Sequence, residues 1–173
     1  VFGRLREAGL GSTPGTAAEV LHDGVRQRIS PNKLPVARWV EIIEAAHAAG
    51  VRSTVTVMFG HIEEPWELAE HMHVVRELQE RTGGFTEFVP LSFIPFHTLL
   101  GRTHGIEEIS REDNLKHTAV FRLALGESGA RLAAALCTIT PRLRSTARSN
   151  SGQSYDDGRS PPASSAAARD RVT

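Results

Sequence analysis

The spacing of apolar residues changes twice between positions 51 and 90, and it predicts a strand, a helix and a second strand. Over 51–59, Val51, Ser53, Val55, Val57 and Phe59 alternate with Arg52, Thr54, Thr56 and Met58. Alternation with β-branched residues predicts a strand. Its last residues are apolar on both sides, as in a parallel strand covered on both faces. Pro65 then opens a helix that turns Leu68, Ala69, Met72, Val75 and Leu78 inward, and Thr82-Gly83-Gly84 ends it. Positions 85–91 form the next strand, and Pro90 and Pro95 bar a regular sheet beyond it.

Upstream, Thr16 and Glu19 have the spacing of a capping box, and Val20, Leu21, Val25 and Ile29 recur at helical spacing up to Pro31. A second helix opens at Pro35, buries Trp39, Val40, Ile43 and Ala46, and closes at Gly50. Downstream, 92–109 reads as a long loop. Ser110 with Asp113 caps a last helix with Leu115, Ala119 and Leu123 as its stripe, ending at Gly126. The order helix, helix, strand, helix, strand, helix predicts right-handed crossovers and a parallel sheet, the α/β class. Two strands cannot close a barrel, so the expectation for 1–126 is the middle portion of a larger α/β barrel.

Composition divides the chain of 173 residues near Gly126. Beyond it Ala, Ser and Arg dominate, with no Lys, Phe, Trp, Met or His. Such a stretch cannot offset ordering entropy with apolar burial, so 127–173 is expected to be a disordered, low-complexity tail. A natural flexible tail and a frame-shifted translation of a GC-rich gene both explain it, and the text favours the second. Net charge is zero with histidine neutral, which gives no field favouring nucleic acid or an anionic membrane. No apolar run nears the roughly 18 residues of a membrane span. The N-terminus has neither a start Met nor the apolar core of a signal peptide, and a cytoplasmic protein is expected. The single Cys137 excludes an internal disulfide and a multi-thiolate metal or iron–sulfur site built from this chain alone.

Polar groups at the carboxyl ends of parallel strands are where α/β barrels keep their chemistry. Gly60, His61 and Glu63 directly follow the first predicted strand. Gly60 permits close backbone approach to a ligand or supplies a turn. Glu63 accepts hydrogen bonds from a ribose, amine or amide, or sits in the first turn of the next helix and answers its dipole. His61 is a base, a hydrogen-bond partner or a packed loop residue. Glu87 lies inside the second strand, where a carboxylate facing a lumen must be paired, unless it stands on an exposed edge. Ser12, Thr13, Pro14, Gly15 and Thr16 precede the first capped helix, as an anion-binding backbone turn or a plain N-cap turn. Among the histidines, His71 and His73 point to different helix faces, and His22, His47 and His117 lie singly on helices as surface or packing residues. His97 and His104 flank a loop from which they could join His61 at a metal, but no HxxxH or HExxH spacing supports that. No metal ligand is assigned.

Five segments, GLGSTPGTAAEVL (9–21), VRQRISPNKLP (25–35), Trp39 through Ala45-Ala46-His47, TVMFGHIEEP (56–65) and RTGGFTEFVPLSF (81–93), resemble in order a radical S-adenosylmethionine group that makes deazaflavin and menaquinone precursors. Within it, Pro14 to Glu19 and Phe85 to Pro90 look most similar to the FO synthase family, in its 4-hydroxyphenyl transferase half. The resemblance implies a (β/α) TIM-type barrel. It implies a 4Fe–4S cluster on a CxxxCxxC triad that reduces S-adenosylmethionine to a 5′-deoxyadenosyl radical. That radical attacks L-tyrosine, whose 4-hydroxybenzyl unit joins 5-amino-6-(D-ribitylamino)uracil, and a partner half closes the ring of the deazaflavin. Carried onto this chain, Gly60, His61 and Glu63 match the element after the fifth strand that helps seat the adenosyl group. Ser12 and Gly15 match the end of the fourth strand, with ribose and methionine contacts. Glu87, on the sixth strand, becomes a substrate contact. The cysteine triad and the outer strands are missing, so the expectation is a fragment that is itself inactive. The alternatives are a fragment of a menaquinone (futalosine pathway) enzyme, or the inert product of a broken gene.

Overall fold

A computed structural model describes residues 1–15 and 17–126 of the chain. The expectations for Thr16 as a helix cap and for the tail at 127–173 lie outside the described residues. In chain order the elements are α1 (Phe2–Glu7), β1 (Ser12–Thr13), α2 (Asp23–Ile29), α3 (Val36–Ala48), β2 (Arg52–Phe59), α4 (Pro65–Thr82), β3 (Phe85–Ser92), α5 (Leu99–His104) and α6 (Arg111–Gly126). The strands form a parallel sheet in the order β1-β2-β3. This is a mixed α/β architecture, and β2 is its centre.

The predicted alternation of β2 is realised on one face only. Ser53, Val55, Val57 and Phe59 are buried, whereas Thr54, Thr56 and Met58 are partly exposed. Coverage of both faces, expected from the apolar strand end, is therefore corrected: the described helices pack on a single side. The buried side meets Trp39 and Ile43 of α3, Leu68, Met72, Val75 and Leu78 of α4, Phe88 of β3, and Phe121 and Leu125 of α6. Each fully buried large side chain contributes about 1.5–3 kcal/mol. Phe121 stands edge-on to both Phe59, at 5.3 Å, and Phe88, at 5.8 Å, so α6 is keyed onto both strands.

Local signals set most boundaries. Glu64 and Glu67 form a reciprocal capping box at the start of α4, Pro65 takes its first turn, and Gly83 ends it at φ 60°. Ser110 Oγ accepts the Asp113 N–H at 3.0 Å, the predicted cap of α6. β3 runs through Pro90 as far as Ser92, tolerable because a missing N–H is harmless on an unpaired strand edge.

Three features depart from the expectations. The first amphipathic helix begins at Asp23 with His22 as its N-cap, and 17–21 lies outside it, because Ala17 and Glu19 stand at φ 71° and 47° and cannot continue a right-handed helix. The sheet has a third strand, β1, whose two residues are too few to show a period. The 92–109 loop contains α5, capped by Thr98. No described helix is long and apolar enough to cross a membrane.

Candidate functional site

The carboxyl ends of β2 and β3 lie side by side, with Phe59 opposite Ser92, whereas β1 pairs at the amino end of β2, with Ser12 opposite Arg52, and the segment after β1 runs on along β2. The segment after β1 is fixed along β2 by side chains. The Gly15 N–H donates to Thr54 Oγ1 at 2.7 Å, and Thr56 Oγ1 donates to the Gly15 carbonyl at 3.0 Å. A Cβ on Gly15 would stand 1.8 Å from the Thr54 carbonyl oxygen, so only glycine fits. Farther on, the Met58 N–H donates to the Glu19 carbonyl at 2.9 Å.

Two buried polar residues hold the segment 17–21, in which Ala17 and Glu19 are left-handed. The Arg26 guanidinium donates to the carbonyls of Ala17 (3.1 Å), Ala18 (2.6 Å) and Leu34 (2.8 and 3.0 Å). Burial lowers its pKa, and Asp23 and Glu19 counter that. His71, fully buried on α4, accepts the Leu21 N–H on Nδ1 at 3.0 Å. That bond fixes the proton on Nε2, which has no hydrogen-bond partner among the described residues. Burial, with the Arg26 charge behind it, pushes the ring's pKa down to about 3. Neither residue was singled out from sequence: Arg26 is one of many arginines, and His71 resembles any helix histidine until Leu21 is placed against it.

After β2 the chain turns at Gly60, φ 83°. The Glu63 carboxylate accepts the N–H groups of Gly60 and, at 2.8 Å, of His61. His61 Nε2 lies 3.1 Å from the Met58 carbonyl, so that nitrogen carries a proton. Its Nδ1 is 2.7 Å from the Ile62 N–H and 2.9 Å from Glu63 Oε2, a donor and an acceptor at once. A neutral ring satisfies Ile62, and an imidazolium satisfies Glu63. Both side chains are buried, at 0% and 4% exposure. Burial pushes the Glu63 carboxyl up, but the His61 hydrogen bond and charge and the two backbone N–H groups outweigh it, so its pKa falls below the ordinary value.

The six sequence-predicted residues thus fall into three environments. Gly15 is buried against β2, and Ser12 beside it is exposed. Gly60, His61 and Glu63 form one closed turn. Glu87 is exposed on β3, in register with Thr54 and therefore on the uncovered face of the sheet. Among the other histidines, His22 caps α2, His47 bonds Thr82 and Ser53, and His117 stacks on Phe59 at 5.1 Å. Among the described residues no three His, Cys, Asp or Glu side chains converge on a metal position.

No family model matches the chain. Similarity to individual proteins is high. A 5-amino-6-(D-ribitylamino)uracil–L-tyrosine 4-hydroxyphenyl transferase 1 of Methanosarcina barkeri is 46% identical over 130 residues, covering 70% of this chain and 33% of its own length. The transferase of the same name from Methanothermobacter thermautotrophicus is 50% identical over 120 residues, 69% of this chain and 33% of that one. A third, from Methanococcus maripaludis, is 43% identical over 125 residues, 72% and 35%. The chain is homologous to these transferases and spans about a third of their length.

Proposed function

We propose that this chain is one part of a 5-amino-6-(D-ribitylamino)uracil–L-tyrosine 4-hydroxyphenyl transferase, the radical S-adenosylmethionine half of FO synthase, on a (β/α) barrel. The observation that carries this reading is the 46–50% identity to transferases of that name along some 70% of the chain. The parallel sheet with the polar turn Gly60 to Glu63 at the carboxyl end of its central strand supports it. L-tyrosine and 5-amino-6-(D-ribitylamino)uracil are the substrates in this reading, a cyclising FO synthase half is the partner, and the cytoplasm is the location.

In this reading the turn after β2 lies at the adenosyl position. Ser12, level with Arg52 at the amino end of β2, stands at the other end of the strand from that turn and does not join it. Gly15 has its N–H and carbonyl taken by Thr54 and Thr56, so it positions the segment after β1 and makes no ligand contact through those groups. Both Glu63 oxygens are engaged within the turn, so Glu63 and His61 position the backbone of Gly60, whose φ of 83° favours glycine. Glu87, on the uncovered face, accepts hydrogen bonds from an amine or amide of a substrate.

Bound S-adenosylmethionine would supply a 5′-deoxyadenosyl radical, given an electron from a 4Fe–4S cluster. The cluster does not fit these 173 residues: a thiolate triad needs three cysteines, and Cys137 is the only one. The menaquinone alternative has no observation of its own in its favour.

A chimera tests the proposal. Residues 1–126 replace the matching third of the Methanothermobacter transferase, and the product is assayed with tyrosine and the aminouracil. Formation of the 4-hydroxybenzyl adduct is expected. A chimera that folds and takes up its cluster yet makes no adduct overturns the reading.

A further inference from the structure

The segment between β3 and α6 has no role in the proposal above, yet it is fastened to the turn after β2 at both ends. The Phe93 ring meets His61 edge-on at 5.9 Å. The Ile109 side chain lies 3.4 Å from where a Cβ on Gly60 would stand. Residues 94–108 therefore sit beside the candidate adenosyl turn.

The segment is also built to one shape. Thr98 Oγ1 donates to the Pro95 carbonyl at 2.9 Å and accepts the Gly101 N–H at 3.0 Å. Gly105 ends α5 at φ 61°, and the Ile106 N–H returns to the Gly101 carbonyl at 3.0 Å. A Cβ on the buried Gly101 would come within 2.5 Å of the Pro95 carbonyl oxygen. His97 stands at φ 63°, a conformation that costs a non-glycine residue about 1 kcal/mol or more and persists only where its surroundings enforce it.

These turns surround an open cleft of about 380 Å³, lined in part by Phe96, His97, Arg102, Ile106, Glu107 and Glu108. Phe96 is 54% exposed. Arg102, Glu107 and Glu108 carry opposite charges within one cleft, yet none of them makes a side-chain hydrogen bond or ion pair with a described residue. Charges on an ordinary surface loop are solvated and need no explanation. Here Arg102, Glu107, Glu108 and Phe96 line one open cleft, held in shape by these turns, in the segment that follows the carboxyl end of β3.

We propose that this cleft binds an aromatic α-amino acid as its zwitterion. Arg102 pairs with the α-carboxylate, Glu107 or Glu108 with the α-ammonium, and Phe96 packs against the ring. The assignment rests on the transferase reading, in which tyrosine is one of two substrates. The other, an aminouracil, is uncharged and has no use for paired charges of opposite sign.

The test is an amide NMR titration of the 173-residue chain with L-tyrosine, with tyramine, which lacks the carboxylate, and with 3-(4-hydroxyphenyl)propionate, which lacks the ammonium. Tyrosine is expected to shift residues 96–108 saturably, and each truncated ligand to bind about tenfold more weakly, the loss of one charge-assisted contact. Arg102→Gln is expected to weaken tyrosine about tenfold and leave tyramine unchanged, a split that a merely distorted loop would not produce. Equal binding of tyrosine and tyramine, equal loss of both in Arg102→Gln, or no tyrosine shifts at 96–108 overturns the proposal. The same chain titrated with S-adenosylmethionine separates the two claims. Shifts at 60–63 with none from tyrosine at 96–108 reject the cleft and leave the transferase reading standing. Tyrosine binding at 96–108 alongside an inert chimera supports the cleft and rejects the transferase reading.

Discussion

Acid should weaken this fold through His71 in particular, and the size of the effect can be worked out. The ring is fully buried, and its pKa falls from 6.5 to about 3. At pH 7.5 it is neutral in both the folded and the unfolded chain. Below pH 6.5 the unfolded chain takes up a proton that the fold rejects, so stability falls with pH until the folded ring titrates near 3. Integrating that difference gives a loss of about 2 kcal/mol between pH 7.5 and pH 5. His71→Asn isolates the effect, because Asn Oδ1 can take the place of Nδ1 as acceptor for the Leu21 N–H and does not titrate. Urea unfolding, followed by fluorescence of the buried Trp39, would be run on both proteins at both pH values. The smaller Asn lowers stability at either pH, and that cost cancels when slopes are compared. The wild-type chain should lose about 2 kcal/mol more than the variant on going to pH 5. Identical pH slopes would refute the reasoning, because they would mean that the folded ring is protonated as readily as the unfolded one.

Three further outcomes are expected. Gly15→Ala should lower stability by about 3 kcal/mol or more, since its Cβ meets the backbone of β2 rather than a movable side chain, and thermal unfolding would show it. Arg26→Met should cost about 3 kcal/mol and speed amide exchange at Leu21 and Met58 ahead of β3, because the carbonyls of Ala17, Ala18 and Leu34 lose their donors; unchanged exchange there would count against the clamp. Glu63, whose folded pKa is depressed, contributes stability that is present above its ordinary value near 4.5 and is lost as pH falls through the folded value. Glu63→Gln should therefore be less stable than wild type at pH 7, with the gap closing in acid, and a gap that widened in acid would contradict the sign.

The sequence by itself determined the elements whose signals are local. The period change over 51–90 marked β2, α4 and β3, because alternation and three-to-four spacing are properties of the chain before it folds. Pro65, Gly83 and Ser110 set helix ends for the same reason. The motif around Gly60 and Glu63 was legible as a strand-end turn, and the segment resemblances led to the transferases that the identities support. Tertiary structure decided what depends on distant partners. β1 has two residues and exists only because β2 lies beside it. The segment at 17–21 reads as helix, yet it is held out of helix by Arg26 and by His71, fifty residues away from Leu21. Glu63 reads as a free acceptor, and only the folded turn shows both its oxygens engaged. A periodic pattern records which face of a segment is buried; it carries no record of which backbone groups a distant buried side chain will claim.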